Sequence, residues 1–306
     1  MGLADLSSRS IIGRLFLALE EAQPPAWVSD IGMSISSDQE SETYRWLAEL
    51  PAMREWLGGR QANRLDVRSQ VVRNQRFEAS LEVSRAELRR DSTGQIQLRI
   101  NELAARSQQH WAKLLTDTIV ANSDTYDGVA FYGLNHDGVA SNDNALAPAA
   151  ASPAAPTTAE FESSIFGTLE AMLGFKDAGG EPMNDGLEAL TVVVPTGLYG
   201  VAQRALNDQI ITDGGGTRTN SVANLSGYQM RLAVNPRLAG SSTYYAYRSD
   251  SSIKPYILQE ENAPQIEALA EGSDFAFQND AHQYGISKSC AVGNGVWQYA
   301  VKNTFA

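Results

Sequence analysis

The chain has little of what most protein chemistry needs. Its 306 residues hold one cysteine, Cys290, and three histidines. A single cysteine excludes an internal disulfide framework and any site built on a Cys pair, and it fits assembly in a reducing compartment. His110, His136 and His282 stand far apart, no two at the spacing of metal ligands, and neither an H-E-x-x-H nor a G-x-S-x-G stretch occurs. No apolar run approaches the ~18 residues of a membrane span. The apolar stretch near the start, Ile11 to Leu19, is interrupted by Arg14 and followed by Glu20 and Glu21, so it reads as a short amphipathic helix ending before Pro24 and Pro25, not as a signal peptide. Basic charge is in deficit too: 24 Lys and Arg against 36 Asp and Glu, a net −12, exclude a generic basic nucleic-acid binder.

The remaining motifs are weak carriers of chemistry. Asp124 with Asp127-Gly128 lacks the other ligands of a calcium loop and is better explained as a turn. Gly214-Gly215-Gly216 follows a helix and lacks the Lys-Ser/Thr of a phosphate loop, so Thr212 to Asn220 reads as a surface loop. Gly293-Asn294-Gly295 reads as a hairpin turn between two strands. Acidic pairs such as Glu260 and Glu261, or Glu267 and Glu271, become a glycosidase dyad only if a fold sets them ~5–9 Å apart across a cleft. No catalytic residue, metal site or cofactor is expected.

What the sequence does have is a clear organisation. Residues 51–100 hold ten arginines and six acids, a net +4, which leaves −16 elsewhere. Within that window Phe77, Ala79, Leu81 and Val83 alternate with Glu78, Ser80, Glu82 and Ser84, the period of a strand with one apolar face, and Gln61 to Glu87 reads as a long arginine-studded β-hairpin. From Gln95 the period becomes helical, with Ile96, Ile100, Leu103, Trp111, Leu114 and Val120 as one stripe and neither Pro nor Gly before Asn122. One helix of about 42 Å is expected, long enough to brace the subunit. Ala140 to Pro156 is an Ala/Pro/Ser/Asn linker. A helix capped by Thr157 or Thr158 follows, then a buried strand Leu190 to Val194 and a helix Tyr199 to Asn207. The last third reads as strands: Tyr228 to Val234, Tyr244 to Tyr247, Ile253 to Leu258, Tyr284 to Val292 and Val296 to Val301. The order is α+β, not a repeated βαβ unit.

Thr43-Tyr44-Arg45-Trp46-Leu47 and Pro51-Ala52-Met53-Arg54-Glu55-Trp56-Leu57-Gly58 carry a resemblance to the major head subunit family of Mu-like phages. Phe77-Glu78-Ala79, Val83-Ser84-Arg85, Tyr126-Asp127-Gly128-Val129-Ala130-Phe131-Tyr132 and His136 continue it in order. So do Val192-Val193-Val194-Pro195, Asn220, Tyr245, Lys254-Pro255, Tyr284-Gly285 and Gly295-Val296-Trp297-Gln298. The resemblance implies a Hong Kong 97-type capsid fold. Residues 1–60 would be the N-terminal arm and 61–94 the extended loop lying over a neighbour. Residues 95–144 and 251–306 would form the peripheral domain, with spine helix 95–122, and 145–250 the axial domain.

The resemblance also implies a non-enzymatic subunit that assembles with copies of itself into the hexamers and pentamers of an icosahedral shell. Its further partners would be a separate scaffolding protein, a portal, optionally a decoration protein, and double-stranded DNA held without sequence specificity. It would work in the virion after assembly in the bacterial cytoplasm, with no membrane involved. In that setting Arg64, Arg68, Arg73 and Arg76 are expected to meet acidic surface on the next chain, and Phe77, Leu81 and Val83 to be covered by it. Some relatives carry a long charged helical extension as fused scaffold; this sequence shows none. The fold's namesake joins a loop lysine to a neighbour's asparagine, but here no lysine precedes Lys113, so no such cross-link is expected. Two other classes stay open at this point, an acidic cytoplasmic α/β enzyme and a decoration or receptor-binding protein.

Overall fold

The computed structural model describes residues 8–45, 69–90, 94–177, 179–213 and 216–306. The chain runs through α1 (Ser8–Glu21), α2 (Ala26–Ile31), β1 (Gly32–Ser36), β2 (Ser41–Tyr44), β3 (Gln70–Arg73), β4 (Gln75–Ser84), α3 (Arg85–Arg90) and α4 (Gln95–Ala121). It continues with β5 (Ala145–Leu146), α5 (Thr158–Gly174), β6 (Ala189–Val194), α6 (Tyr199–Asn207), β7 (Ile210–Asp213), β8 (Gly216–Thr219) and β9 (Gln229–Val234). It closes with β10 (Thr243–Arg248), β11 (Tyr256–Leu269), α7 (Asp274–Asn279), β12 (Ala281–Asn294) and β13 (Ala300–Thr304).

Two sheets organise these elements. One has the order β1-β11-β12-β4, the other β5-β13-β10-β6-β9, and the pairs β2-β3 and β7-β8 stand apart. The first sheet is built on β11 and β12, which pair antiparallel over most of their length with irregular register near Asn262. The second mixes directions: β6 runs parallel to β9, and β10 antiparallel to both β6 and β13. β6 is the apolar run of the sequence, buried from Leu190 to Val194 because α5 and α6 pack beside it.

The long helix forms as its composition requires. It ends at Asn122, whose left-handed φ of 47° stops propagation while its amide still donates to the Thr118 carbonyl at 3.2 Å. Its buried seam differs from the expected stripe: Ile96, Ile100, Ala104, Ala112, Leu115 and Ile119 are buried, whereas Leu103, Trp111 and Leu114 are half-buried and Val120 is exposed. The largest side chains marked the wrong row, because two alanines sit on the seam. α5 carries a full capping box, Thr157 Oγ1 accepting from the Glu160 amide and the Glu160 carboxylate accepting from the Thr157 amide.

Four readings are corrected. Gln61 to Glu87 is not one hairpin in the described residues: β3 pairs with β2 and β4 with β12, and only Asn74 separates β3 from β4. Gly293-Asn294-Gly295 is not a hairpin turn, since β12 belongs to the first sheet and β13 to the second. The expected loop Thr212 to Asn220 is mostly the hairpin β7-β8, with Gly214 and Gly215 outside the described residues. The linker contributes β5, which pairs with β13. Along residues 251–306, β11 and β12 lie in the first sheet and β13 in the second.

Candidate inter-subunit surface

β4 is an edge strand, and its alternation is real. It pairs in register with β12 from Gln75 opposite Cys290 to Ser84 opposite Ala281. Its apolar side, however, faces its own chain. Val83, 1% exposed, lies in an aliphatic cluster with Ile11, Leu15, Ile96, Ile100, Tyr284 and Ile286, and Leu81 packs on the same cluster. Phe77 meets the His110 ring edge-on at 4.4 Å. Thus α1 and α4 cover the face that sequence reasoning left for a neighbour, and Val83 is withdrawn from any contact surface. The signal missed was long-range: the cover comes from helices on both sides of the strand in sequence.

The polar side remains outside, with Arg76, Glu78, Ser80 and Glu82 exposed. Arg73, on β3, is exposed and holds Glu40 in an ion pair that ties the β1-β2 connection to β3. Arg64 and Arg68 lie outside the described residues, as does the Trp46 to Gly58 block. Tyr44, just before that block, is buried and donates to Gln259 Oε1 at 2.7 Å; burial, aided by Glu42, pushes its hydroxyl up to about 12.

The turn after α4 holds a dense polar knot. His136 Nδ1 lies 2.6 Å from Asp127 Oδ2, both side chains fully enclosed, and the imidazole stacks on Trp297 at 4.2 Å. Burial works to raise the Asp127 carboxyl, but hydrogen bonds from His136, Thr125 and the Val129 amide outweigh it and bring the group down to about 2. Asn135, Asp137 and Gly138 hold left-handed backbone around His136. Beside the knot, the Tyr132 hydroxyl meets those of Tyr247 at 2.7 Å and Tyr256 at 2.8 Å. Asn122 clasps Tyr132 from both sides, its Nδ2 donating to the Tyr132 carbonyl and its Oδ1 accepting from the Tyr132 amide. Only the family resemblance flagged this stretch; periodicity did not.

These groups build structure and show no geometry for turnover. The Asp127–His136 pair, which resembles half of a triad, is closed off by Trp297 and Asn144. Cys290 is buried, and burial pushes its thiol up to about 11. His110 is brought down to about 4 by burial and then by Lys288 and Lys113. Lys288, its own pKa lowered by burial, donates to the Ser107 carbonyl at 2.9 Å and lies over the Trp111 ring. Among the described residues no group of three or more His, Cys, Asp and Glu could hold a metal ion, and no helix is long and apolar enough to cross a membrane. The groove between β3, α4 and β12, about 450 Å³ and lined by Val71, Arg73, Phe77, Asp117 and Cys290, gathers no convergent acid or base.

A mixed sheet pair braced by one long helix is the architecture of a viral shell subunit of the Hong Kong 97-type. Solved structures that share it include the procapsid of bacteriophage JBD30, over 97% of this chain and 73% of that one at 21% identity and a TM-score of 0.56, and the capsid of cyanophage P-SCSP1u, over 93% and 89% at 13% identity and 0.55. The chain belongs to the Mu-like prophage major head subunit gpT family, whose model matches residues 13–161 and 222–305. Among curated relatives, the Mu-like prophage FluMu major head subunit of Haemophilus influenzae is 20% identical over 282 residues, covering 91% of this chain and 66% of its own length. The major capsid protein of Escherichia phage Mu is 29% identical over 122 residues, 39% of each chain. The chain therefore spans less than two thirds of either relative's length.

Proposed function

We propose that the chain is a major capsid subunit of a tailed phage or prophage, with no enzymatic activity of its own, whose copies form hexamers and pentamers and close into an icosahedral shell around DNA. The observation that carries this reading is the family match, which runs from α1 through the long helix to the start of α5 and resumes over β9 to β13, strands of both sheets. α4 with β11 and β12 would be the peripheral domain, and the second sheet, including β13, with α5 and α6 the axial domain. Residues 1–60 would act as an arm and 61–94 as the loop over a neighbour. On that loop Arg73 and Arg76, with Arg64 and Arg68, would meet the acidic surface of the next chain and set register more than affinity. Phe77 and Leu81, half-buried by their own chain, would contribute only their remaining surface.

A scaffolding protein and a portal would complete assembly in the host cytoplasm, a decoration protein would be optional, and the product would be the virion. A net charge of −12 suits an inner face that holds double-stranded DNA without sequence specificity and releases it. Many modest contacts per subunit would sum to a tight shell. Sedimentation of the purified chain with negative-stain imaging tests the reading. Pelleting curved sheets or shells are expected; a monodisperse monomer at every concentration overturns it.

A further inference from the structure

α3 and the connection between β11 and β12 lie side by side at one end of the first sheet. The Arg85 amide donates to the Asp280 carbonyl at 3.0 Å, the Arg85 guanidinium stands 3.6 Å from the Asp280 carboxylate, and Ser84 pairs opposite Ala281. The two neighbours carry opposite charge. Between Lys254 and Lys288 the sequence has six carboxylates, Glu260, Glu261, Glu267, Glu271, Asp274 and Asp280, and no Lys or Arg. α3 reads Arg85-Ala86-Glu87-Leu88-Arg89-Arg90, with Arg89 and Arg90 exposed at its far end. The acidic neighbour also presents grease: Phe277 on α7 is 86% exposed, the highest value among the large hydrophobics of the described residues, and Leu269 at the end of β11 is 48% exposed.

We propose that this tip is a docking surface for a second copy of the chain, with Phe277 and the carboxylates Glu267 and Asp274 of one copy seated against Arg89 and Arg90 of the next. The inference rests on the shell-subunit reading and deepens it by naming one contact. A second copy is the occupant the surface fits, because the complementary charge is already on the chain. Two unlike patches set beside each other on one molecule meet their opposites on a rotated copy, and each copy both offers and receives the contact. Phe277 supplies the apolar anchor at the centre of such a patch, and the charges around it select orientation and partner.

Reversing each side separately and then together tests the contact. Glu267→Lys with Asp274→Lys, and Arg89→Glu with Arg90→Glu, should each lower the pelleting fraction of the purified chain by roughly tenfold, and Phe277→Ser should do the same. Thermal unfolding of the dilute subunit should be unchanged, since these side chains are exposed. Combining the two reversals should restore pelleting to within about twofold of the native chain. As a second readout, Asp274→Cys and Arg89→Cys copies should form a disulfide-linked dimer only when mixed, the native Cys290 being buried. If the native chain pellets and neither the reversals nor the mixed cysteines behave so, the inference is overturned while the shell-subunit reading stands. If the native chain never assembles, that reading falls and takes the inference with it.

Discussion

The two ends of α4 sit in different kinds of core. At the N-terminal end, Ile96, Ile100 and Ala104 meet Ile11, Leu15, Leu19, Val83 and Ile286, a mostly aliphatic cluster that also holds Tyr284. At the C-terminal end, Ala112, Leu115 and Ile119 join a larger cluster threaded with polar side chains. There Thr116 Oγ1 accepts from Asn235 Nδ2 at 2.8 Å, Asn122 clasps Tyr132, and the tyrosine hydroxyls and the Asp127–His136 pair lie beyond. Apolar burial is non-directional, whereas buried hydrogen bonds fix direction and are costly to leave unmade. One helix is thus held at its N-terminal end mainly by apolar fit, with an exposed hydrogen bond from Arg14 to Gln97 at 2.9 Å beside it, and at the other end by fit together with buried, directed bonds.

The sharpest way to break this comparison is Asp127→Ala, which strands the partners of its carboxylate, the buried His136 and Thr125 and the Val129 amide, and should cost about 3–5 kcal/mol in all in denaturant unfolding. A loss below about 1 kcal/mol would remove the knot from the account. The same carboxylate predicts an acid response. Its pKa lies below the ordinary 3.8, at about 2, so its contribution is complete above that ordinary value and disappears as pH falls toward 2. Asp127→Asn should flatten that part of the acid curve. Next, Ile100→Ala in the dry cluster should cost about 2–4 kcal/mol as a cavity, and Ile100→Leu less than about 1.5 kcal/mol, because only volume matters there. Thr116→Val, equally conservative in shape, should cost about 1–3 kcal/mol by stranding Asn235, and an equal tolerance at both positions would erase the contrast. The smallest effect belongs to the surface: Arg73→Ala breaks an exposed pair with Glu40 and should change stability by less than about 1 kcal/mol.

Local features were legible in the sequence. The span of α4, the cap of α5, the buried β6 and the start and end of α6 all follow from periodicity, Pro and Gly placement and one Thr-x-x-Glu box. The period-two alternation of β4 was read correctly and its partner was not. A strand's faces are written in its own residues, but the strand beside it, here about two hundred positions later, is not. That error also misassigned the cover of Val83. The knot around His136 escaped for a different reason: an isolated histidine flanked by Asn and Asp looks like any loop until Trp297 and Asp127 are folded onto it. The exposed Phe277 gave no sequence signal either, because exposure belongs to the tertiary fold.

Asn122 gives α4 a pivot. A rod of 27 residues is about 40 Å long, and it is fastened where its last turn grips Tyr132. A rotation of one degree about that point would carry the far tip, where α1 packs, sideways by about 0.7 Å. The oily end would meet such a swing with apolar contacts and the exposed Arg14–Gln97 bond, and the buried end with the paired bonds of an asparagine, so any leverage along the rod is resisted most firmly at Asn122.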